Sequence, residues 1–220
     1  MLIANPSAKM DHSFVKKYSF LDNYHGLTFT ELDKNTKDVL STGLLAKQKK
    51  FLKIFYASKE QKSSWDFKIQ EMGTWDTNYY RRAYYAVWGI GANILQDAVY
   101  GTSQLDADLE QLNGNSTYKL SFPAGKTPEV GGFWSTTAYN NEGFLTPNGQ
   151  NRYSIGSNMP LVFNKDGSLE IYLSADKPKG APNYNWVPTP KGTFKVLFRM
   201  YWPKESILNG SYSLPNIEKL

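Results

Sequence analysis

Two carboxylates of this sequence stand where they could do hydrolytic chemistry. Paired carboxylates that face each other across a cleft, about 5 to 10 Å apart, can cleave a glycosidic bond. Glu170 lies on a predicted strand beside Tyr172, and Asp97 follows a predicted helix. Either carboxylate, working with an arginine, is therefore a candidate catalytic residue for hydrolysis of a glycosidic or ester bond. Glu170 alone has a clear strand position, so whether the protein is an enzyme stays open.

A second set of residues combines guanidinium, amide and aromatic groups. Such groups bind carbohydrates and carboxylates by stacking and by bidentate hydrogen bonds. The ligand-binding candidates are Arg81, Arg82, Tyr84, Trp134, Asn151, Arg152, Tyr153 and Trp186. The same groups can instead line a β-sandwich and satisfy one another internally, and this structural alternative is favoured for most of them. Arg152 is the strongest exception, because Asn151 and Tyr153 flank it on a predicted loop or strand edge.

Other catalytic and metal chemistries find few matching residues. The two histidines, His12 and His25, lie outside the predicted β region, which argues against a Ser-His-Asp triad and against a histidine-bound metal. Ser154 lacks the flanking glycines of a nucleophile elbow. The acidic stretch 106–110 does not have the spacing of a helix-loop-helix calcium site and is typical of a solvated loop. We therefore predict no metal and no cofactor.

The net charge of +5 is concentrated in one part of the chain. Residues 34–68 contain nine lysines and three acidic residues, an excess of six, so the rest of the chain carries a net charge of −1. Charge confined to one helical segment is typical of a solvated helix, and we predict no nucleic-acid partner. The sequence predicts neither a signal peptide nor a transmembrane segment. There is no cysteine, which leaves the compartment undetermined.

The elements that must position these residues fall into three predicted regions. An irregular amino-terminal arm covers 1–33. A helical connector follows over 34–94, because apolar residues recur at helical spacing over about 36–57 and again over 77–89. Asp76 or Thr77 is the expected N-cap of the second helix. An antiparallel β domain covers 95–220, so the predicted class is α+β, mainly β.

Turn residues divide the β domain into five predicted strands. They cover residues 117–122, 132–140, 160–163, 168–174 and 193–202. The last is apolar on nearly both faces and should be central, with Trp202 in its larger apolar set. We expect the tryptophans and tyrosines to fill the interior of a jelly-roll-like β-sandwich that is preceded by the helical stem.

Six ordered motifs resemble an uncharacterised family, domain of unknown function 1214, over about residues 90–205. They are Gly91–Asn93, Asp97–Tyr100, Phe133–Ser135, Asn151–Gly156, Asn185–Pro188 and Arg199–Pro203. The resemblance implies a jelly-roll-like sandwich, found in bacterial envelope or exported proteins, with the cytoplasm as the alternative. It implies no agreed reaction and no agreed catalytic residues.

The helical residues before this region are similar to the connector that follows another uncharacterised domain, number 1254, in longer proteins. From this resemblance we expect that domain to be essentially missing from this chain. We therefore expect a homo-oligomer, or a partner chain that supplies the missing amino-terminal domain. The function hypothesis is a binding or assembly module that recognises a saccharide or small acidic ligand; the alternative is a hydrolase.

Overall fold

The chain divides into a helical unit and a β unit. The computed structural model describes residues 12–17, 26–56, 64–67, 73, 78–89, 91 and 93–220. One compact unit is formed by residues 1–59 with 74–92, and the other by residues 60–73 with 93–220. Most of the predicted amino-terminal arm lies outside the described residues.

The helical unit contains α1 (His12–Lys17), α2 (Lys34–Tyr56) and α3 (Tyr79–Trp88). The sequence predicts 36–57 and 77–89 for the last two. Asn78 caps α3, because its side-chain oxygen accepts a hydrogen bond from the backbone N–H of Arg81 at 3.1 Å. The expected caps, Asp76 and Thr77, lie outside the described residues. In the described part of the chain, no helix is long and apolar enough to cross a membrane.

The β unit consists of two sheets. Its strands are β1 (Asp66–Phe67), β2 (Ala98–Ser103), β3 (Tyr118–Phe122), β4 (Trp134–Asn140), β5 (Ser154–Gly156), β6 (Leu169–Ser174), β7 (Trp186–Pro188), β8 (Phe194–Tyr201) and β9 (Ile217–Lys219), with a short helix α4 (Glu205–Leu208) between the last two. One sheet has the order β1-β2-β8-β4-β5 and the other β7-β6-β3-β9. All pairs are antiparallel except β6 with β7, which is parallel. Strands β5 and β7 are therefore edge strands.

Strand alternation builds one shared core between the sheets. In β8 the residues Phe194, Val196, Phe198 and Met200 are fully buried, and the residues between them are partly exposed. Strands β3 and β6 turn their own apolar residues into the same hydrophobic cluster. This confirms a mainly β fold with two layered sheets. The sheets stay separate and open, and jelly-roll connectivity remains a prediction.

Four of the five predicted strands are confirmed as β3, β4, β6 and β8, but the prediction for 160–163 is wrong. The side-chain amide of Asn185 pairs with the backbone of Val162 instead. Its Oδ1 accepts from the Val162 N–H at 2.9 Å, and its Nδ2 donates to the Val162 carbonyl at 2.7 Å. A single side chain thus satisfies the groups that a neighbouring strand would have paired. This turn-like segment then packs Met159 and Leu161 against the core.

Trp202 is also misplaced by the sequence analysis. Strand β8 ends at Tyr201, and Trp202 has a φ of +59° and is 70% exposed. It does not fill the interior. The segment Ser64–Phe67 supplies a different tryptophan to the core: Trp65 is buried against Phe198 with ring centroids 6.1 Å apart.

A groove at the edge of the sandwich

A groove of about 540 Å³ lies where the edge strands of the two sheets come together. Its walls are residues 150–154 and Met159 on one side, and Asn183 with Tyr184 on the other. The first segment leads into β5 of the five-stranded sheet, and the short 3-10 turn Asn183–Asn185 leads into β7 of the four-stranded sheet. The groove is therefore built from both sheets.

Arg152 crosses this junction. Its Nη1 donates to the carbonyl oxygen of Asn183, and its Nη2 donates to Oδ1 of the same residue at 3.2 Å. Its guanidinium carbon lies 5.9 Å from the ring centroid of Tyr184 and 5.8 Å from that of Trp186. These are cation-π distances. Two hydrogen bonds and two rings thus fix the orientation of the guanidinium.

The positive charge of Arg152 has no carboxylate partner among the described residues. The ion pair found among the described residues joins Lys119 of β3 to Glu170 of β6. The Nε of Arg152 is buried and makes no hydrogen bond. A partly buried cation without a counter-ion carries an uncompensated desolvation cost.

The loop before β5 is organised by the side chain of Asn148. Its Oδ1 accepts from the backbone N–H of Gln150 at 3.1 Å and of Arg152 at 3.3 Å, and its Nδ2 donates to the Arg152 carbonyl at 2.8 Å. Asn151 has a φ of +49°, a left-handed conformation that asparagine tolerates better than most residues. The groove wall is therefore held in shape by local hydrogen bonds.

Tyr184 and Trp186 play different parts beside Arg152. Trp186 is 6% exposed, and its indole N–H donates to the carbonyl and the hydroxyl of Ser174 at 3.1 and 3.2 Å. Tyr184 is 44% exposed and lines the groove. Trp186 is thus a buried support for the arginine, and Tyr184 is the ring that a ligand can reach.

The structure gathers part of the predicted ligand-binding set at this groove. Asn151, Arg152 and Tyr153 line it, and Trp186 supports it. Sequence analysis missed Asn183 and Tyr184. The signal for them was their closeness to Trp186 in the run 183–186, where an amide and an aromatic residue alternate.

The other predicted ligand-binding candidates lie elsewhere. Trp134 is buried in the core, with ring centroids 5.9 Å from Phe122 and 5.3 Å from Phe198. Arg81 and Arg82 lie on α3 in the helical unit. Tyr84 is on the same helix, and the structure does not describe its side chain.

Glu170, one of the two catalytic candidates, is held by internal partners. Its Oε1 accepts from the Lys119 ammonium at 2.9 Å, and its Oε2 accepts from the Tyr172 hydroxyl at 2.7 Å. The Lys119 hydrogen bond, followed by the Tyr172 bond, lowers the pKa of Glu170. The hydrogen bond between the Tyr172 hydroxyl and Glu170 in turn raises the pKa of Tyr172. An ionised and fully engaged carboxylate supports a structural role here and does not suit a general acid.

The remaining acidic residues also have structural surroundings. Asp97, the second catalytic candidate, is exposed, and its backbone carbonyl accepts from the Trp202 N–H at 2.8 Å. Asp106 is buried rather than solvated: its Oδ1 accepts from the N–H groups of Asp108 at 3.0 Å and Glu110 at 2.9 Å. It closes the acidic loop on itself. Within the described ranges, no three acidic or imidazole groups converge on a common metal position.

Fold and groove together define a two-sheet β-sandwich with an edge groove centred on an arginine. Residues 97–205 match the family described as "Protein of unknown function (DUF1214)". The match supports the family resemblance over that part of the chain; an accompanying 1254 domain remains a prediction. No curated protein matches the chain significantly.

Two solved structures are similar to this chain. The crystal structure of the VPA0106 protein from Vibrio parahaemolyticus has a TM-score of 0.67 at 24% identity, over 96% of this chain and 51% of that one. An uncharacterised protein from Burkholderia cenocepacia has a TM-score of 0.42 at 15% identity, over 96% and 50%. The chain thus spans about half the length of these relatives. The first likeness supports the fold.

Proposed function

We propose that the β unit is a non-enzymatic binding module that takes a carboxylated saccharide in the groove at Arg152. One observation carries the proposal. The Arg152 guanidinium lines an accessible groove in a fixed orientation and has no carboxylate partner among the described residues. A carboxylate on the ligand supplies the missing negative charge.

The hydrogen-bonding capacity of Arg152 suits an acidic ligand. Each terminal nitrogen of a guanidinium carries two hydrogens, and each donates one bond to Asn183. A further N–H therefore remains on each nitrogen. Guanidinium groups bind carboxylates through such paired donors, with charge-assisted bonds stronger than those to a neutral acceptor.

The rest of the groove suits a sugar ring. Tyr184 offers an exposed aromatic face against which the C–H groups of a pyranose can stack. Gln150 and Asn151 add side-chain amides that can both donate to and accept from hydroxyl groups. The volume of about 540 Å³ falls within the range of roughly 300 to 1,000 Å³ that is common for small-molecule sites.

The decisive experiment compares sugar acids with matched neutral sugars. The full chain is titrated by calorimetry with glucuronate and galacturonate, and in parallel with glucose and galactose. We expect the acids to bind at least about tenfold more tightly, since a charge-assisted hydrogen bond contributes about 1.5 to 3 kcal/mol. Equal binding of each acid and its neutral counterpart would contradict the proposal.

Two variants locate the site. Arg152→Gln should abolish the preference for the acid, and Tyr184→Ala should weaken acids and neutral sugars alike. Lys165→Gln is the matched control, because it removes the same charge from an exposed turn that is not part of the groove wall. The hydrolase alternative is tested by incubating the chain with glycosidic and ester substrates and measuring released product. Turnover that is lost in Glu170→Gln would favour the hydrolase.

We also propose that the helical unit mediates assembly, with a second copy or with a partner chain. Exposed apolar side chains on α2, Val39 and Leu45, support this, since they lie among lysines on one helix. Light scattering should show an oligomer at micromolar concentration that Leu45→Asp dissociates. A monomer at that concentration in the unmodified chain would count against it.

A further inference from the structure

Trp202 stands out among the exposed side chains of the β unit. Its side chain is 70% exposed, and its φ of +59° is in the left-handed region. Bulky residues seldom adopt this conformation, and a residue before proline, here Pro203, is normally held in an extended one. A strained and exposed tryptophan needs an explanation.

The surrounding backbone enforces this conformation. The Trp202 N–H donates to the Asp97 carbonyl at 2.8 Å, and the Trp202 carbonyl accepts from the Gly131 N–H at 2.6 Å. A Cβ on Gly131 would lie 3.3 Å from Cβ and Cγ of Trp202, a tight contact that would displace the indole by a few tenths of an ångström. The strain is therefore fixed by both neighbouring segments rather than by a loose chain end.

The strain moves the indole out of the core. Phe198 and Met200, four and two residues earlier, point inward and are fully buried. Regular alternation would send Trp202 inward as well. The left-handed residue interrupts the alternation and leaves the largest side chain of the series in solvent. Exposure is thus built into the backbone at this point.

The composition around the indole points to a ligand. Phe133, 37% exposed, lies tilted against Tyr201, the residue before Trp202, at 4.7 Å between ring centroids. Asp97, exposed and hydrogen-bonded to the Trp202 backbone, brings a carboxylate that can accept from hydroxyl groups. An aromatic face beside an acceptor is the chemistry that recognises a pyranose.

The size of the surface argues against a protein partner. A tryptophan side chain presents about 150 to 250 Å², whereas a stable protein interface buries about 800 Å² on each side. One indole and part of a phenyl ring match the apolar face of one or two sugar rings. We infer that Trp202 is a stacking platform for a neutral pyranose, separate from the Arg152 groove.

The two sites lie at opposite ends of β4. Residues 130–133, which pair with Trp202 and its neighbours, precede β4, and Tyr153 of the groove bonds to Ala138 near the other end. The platform also has an acidic neighbour where the groove has a cation. A neutral ligand at Trp202 can therefore be tested independently of an acidic one at Arg152.

The experiment follows the indole N–H resonances by NMR. The full chain, labelled with nitrogen-15, is titrated with maltotetraose, cellotetraose and chitotetraose. Loss of one resonance in Trp202→Asn assigns it, and asparagine suits the left-handed backbone. We expect at least one oligosaccharide to shift this resonance at millimolar concentration. Its affinity should fall about tenfold or more in Trp202→Asn and persist in Trp202→Tyr, which keeps an aromatic ring.

Phe144→Ala is the matched control, because Phe144 is equally exposed, at 68%, without a left-handed backbone. It should leave the affinity unchanged. The inference is overturned if none of the three oligosaccharides shifts the Trp202 resonance, or if binding survives in a folded Trp202→Asn chain. A resonance that instead moves with protein concentration, together with an oligomer that Trp202→Asn dissociates, would make the surface a protein contact and equally overturn it.

Discussion

Arg152 and Arg199 are both partly buried, both stack on a tyrosine, and neither has a carboxylate partner in the described residues. Arg199 lies near the middle of the five-stranded sheet, where Nη1 donates to the Thr137 hydroxyl at 2.9 Å and Nη2 donates to the Tyr139 hydroxyl at 2.7 Å. Its guanidinium carbon is 5.8 Å from the Tyr139 ring centroid. Arg152 instead sits at the sandwich edge and bonds a single asparagine.

The difference shows that a missing counter-ion does not by itself make a binding site. Hydroxyl groups of the adjacent strand β4 accept one bond from each terminal nitrogen of Arg199, in a regular sheet register. Arg152 keeps a buried Nε without a partner and faces a groove. Each terminal nitrogen of both arginines donates one hydrogen bond, so the accessible groove beside Arg152 is what distinguishes the two.

The largest expected effect is on ligand affinity. Arg152→Gln should weaken binding of a sugar acid by about tenfold to a hundredfold, because it removes a charge-assisted contact of roughly 1.5 to 3 kcal/mol. Arg199→Gln, the same substitution in the sheet, should leave the calorimetric affinity unchanged. An equal loss in both variants would show that net charge, not the groove, governs binding.

The next largest effect is on stability, and here the variant beside Arg199 should lose more than the variant beside Arg152. Tyr139→Phe removes the hydroxyl that accepts from Arg199 and should lower the free energy of unfolding by about 1 kcal/mol in urea titrations. Tyr184→Phe keeps the ring that Arg152 stacks on and should change it by less than about 0.5 kcal/mol. If the Tyr184 variant lost more stability than the Tyr139 variant, the assigned roles would be reversed.

Glu170, which does have a counter-ion in Lys119, gives a third point of comparison, and its substitution should change stability less. The pKa of Glu170 is lowered in the folded state, so its ionisation stabilises the fold above its unfolded pKa, and this contribution is lost as pH falls through the folded pKa. Glu170→Gln should therefore cost about 0.5 to 1 kcal/mol at neutral pH. The cost should shrink toward zero in strong acid; a pH-independent cost would indicate packing instead.

The smallest expected effect concerns Trp202. Trp202→Gly relieves the left-handed conformation, so thermal unfolding should show a change of less than about 1 kcal/mol, with either no loss or a small gain of stability. A loss of several kcal/mol would mean that the indole stabilises the fold and is not displayed for a ligand.

Much of the β unit could be predicted from its sequence, because alternation is a local property. The runs 168–174 and 193–202 alternate clearly, and β6 and β8 form there. The turn at 164–167 was also predictable locally, from its glycine. Gly167 has a φ of +83°, and its N–H donates to the Asn164 carbonyl at 2.9 Å. Local chemistry suffices for such elements.

What escaped prediction depends on distant partners. Trp65 reaches the core because its indole N–H bonds the carbonyl of Pro215, a residue 150 positions away. The groove forms only where two loops from different sheets meet, so the place of Tyr184 in its wall required the fold, although its closeness to Trp186 was a local signal. Arg152 was identified from its neighbours in sequence, whereas its bonds to Asn183 required the fold.

The position of Arg152 also bears on solubility. Strands β5 and β7 are three residues long and have one free side each, and short edge strands offer little template for pairing with another chain. Arg152 bridges the approaches to both. Replacing it should leave these two edges less firmly joined, and we expect the variant to precipitate sooner on storage than the unmodified chain.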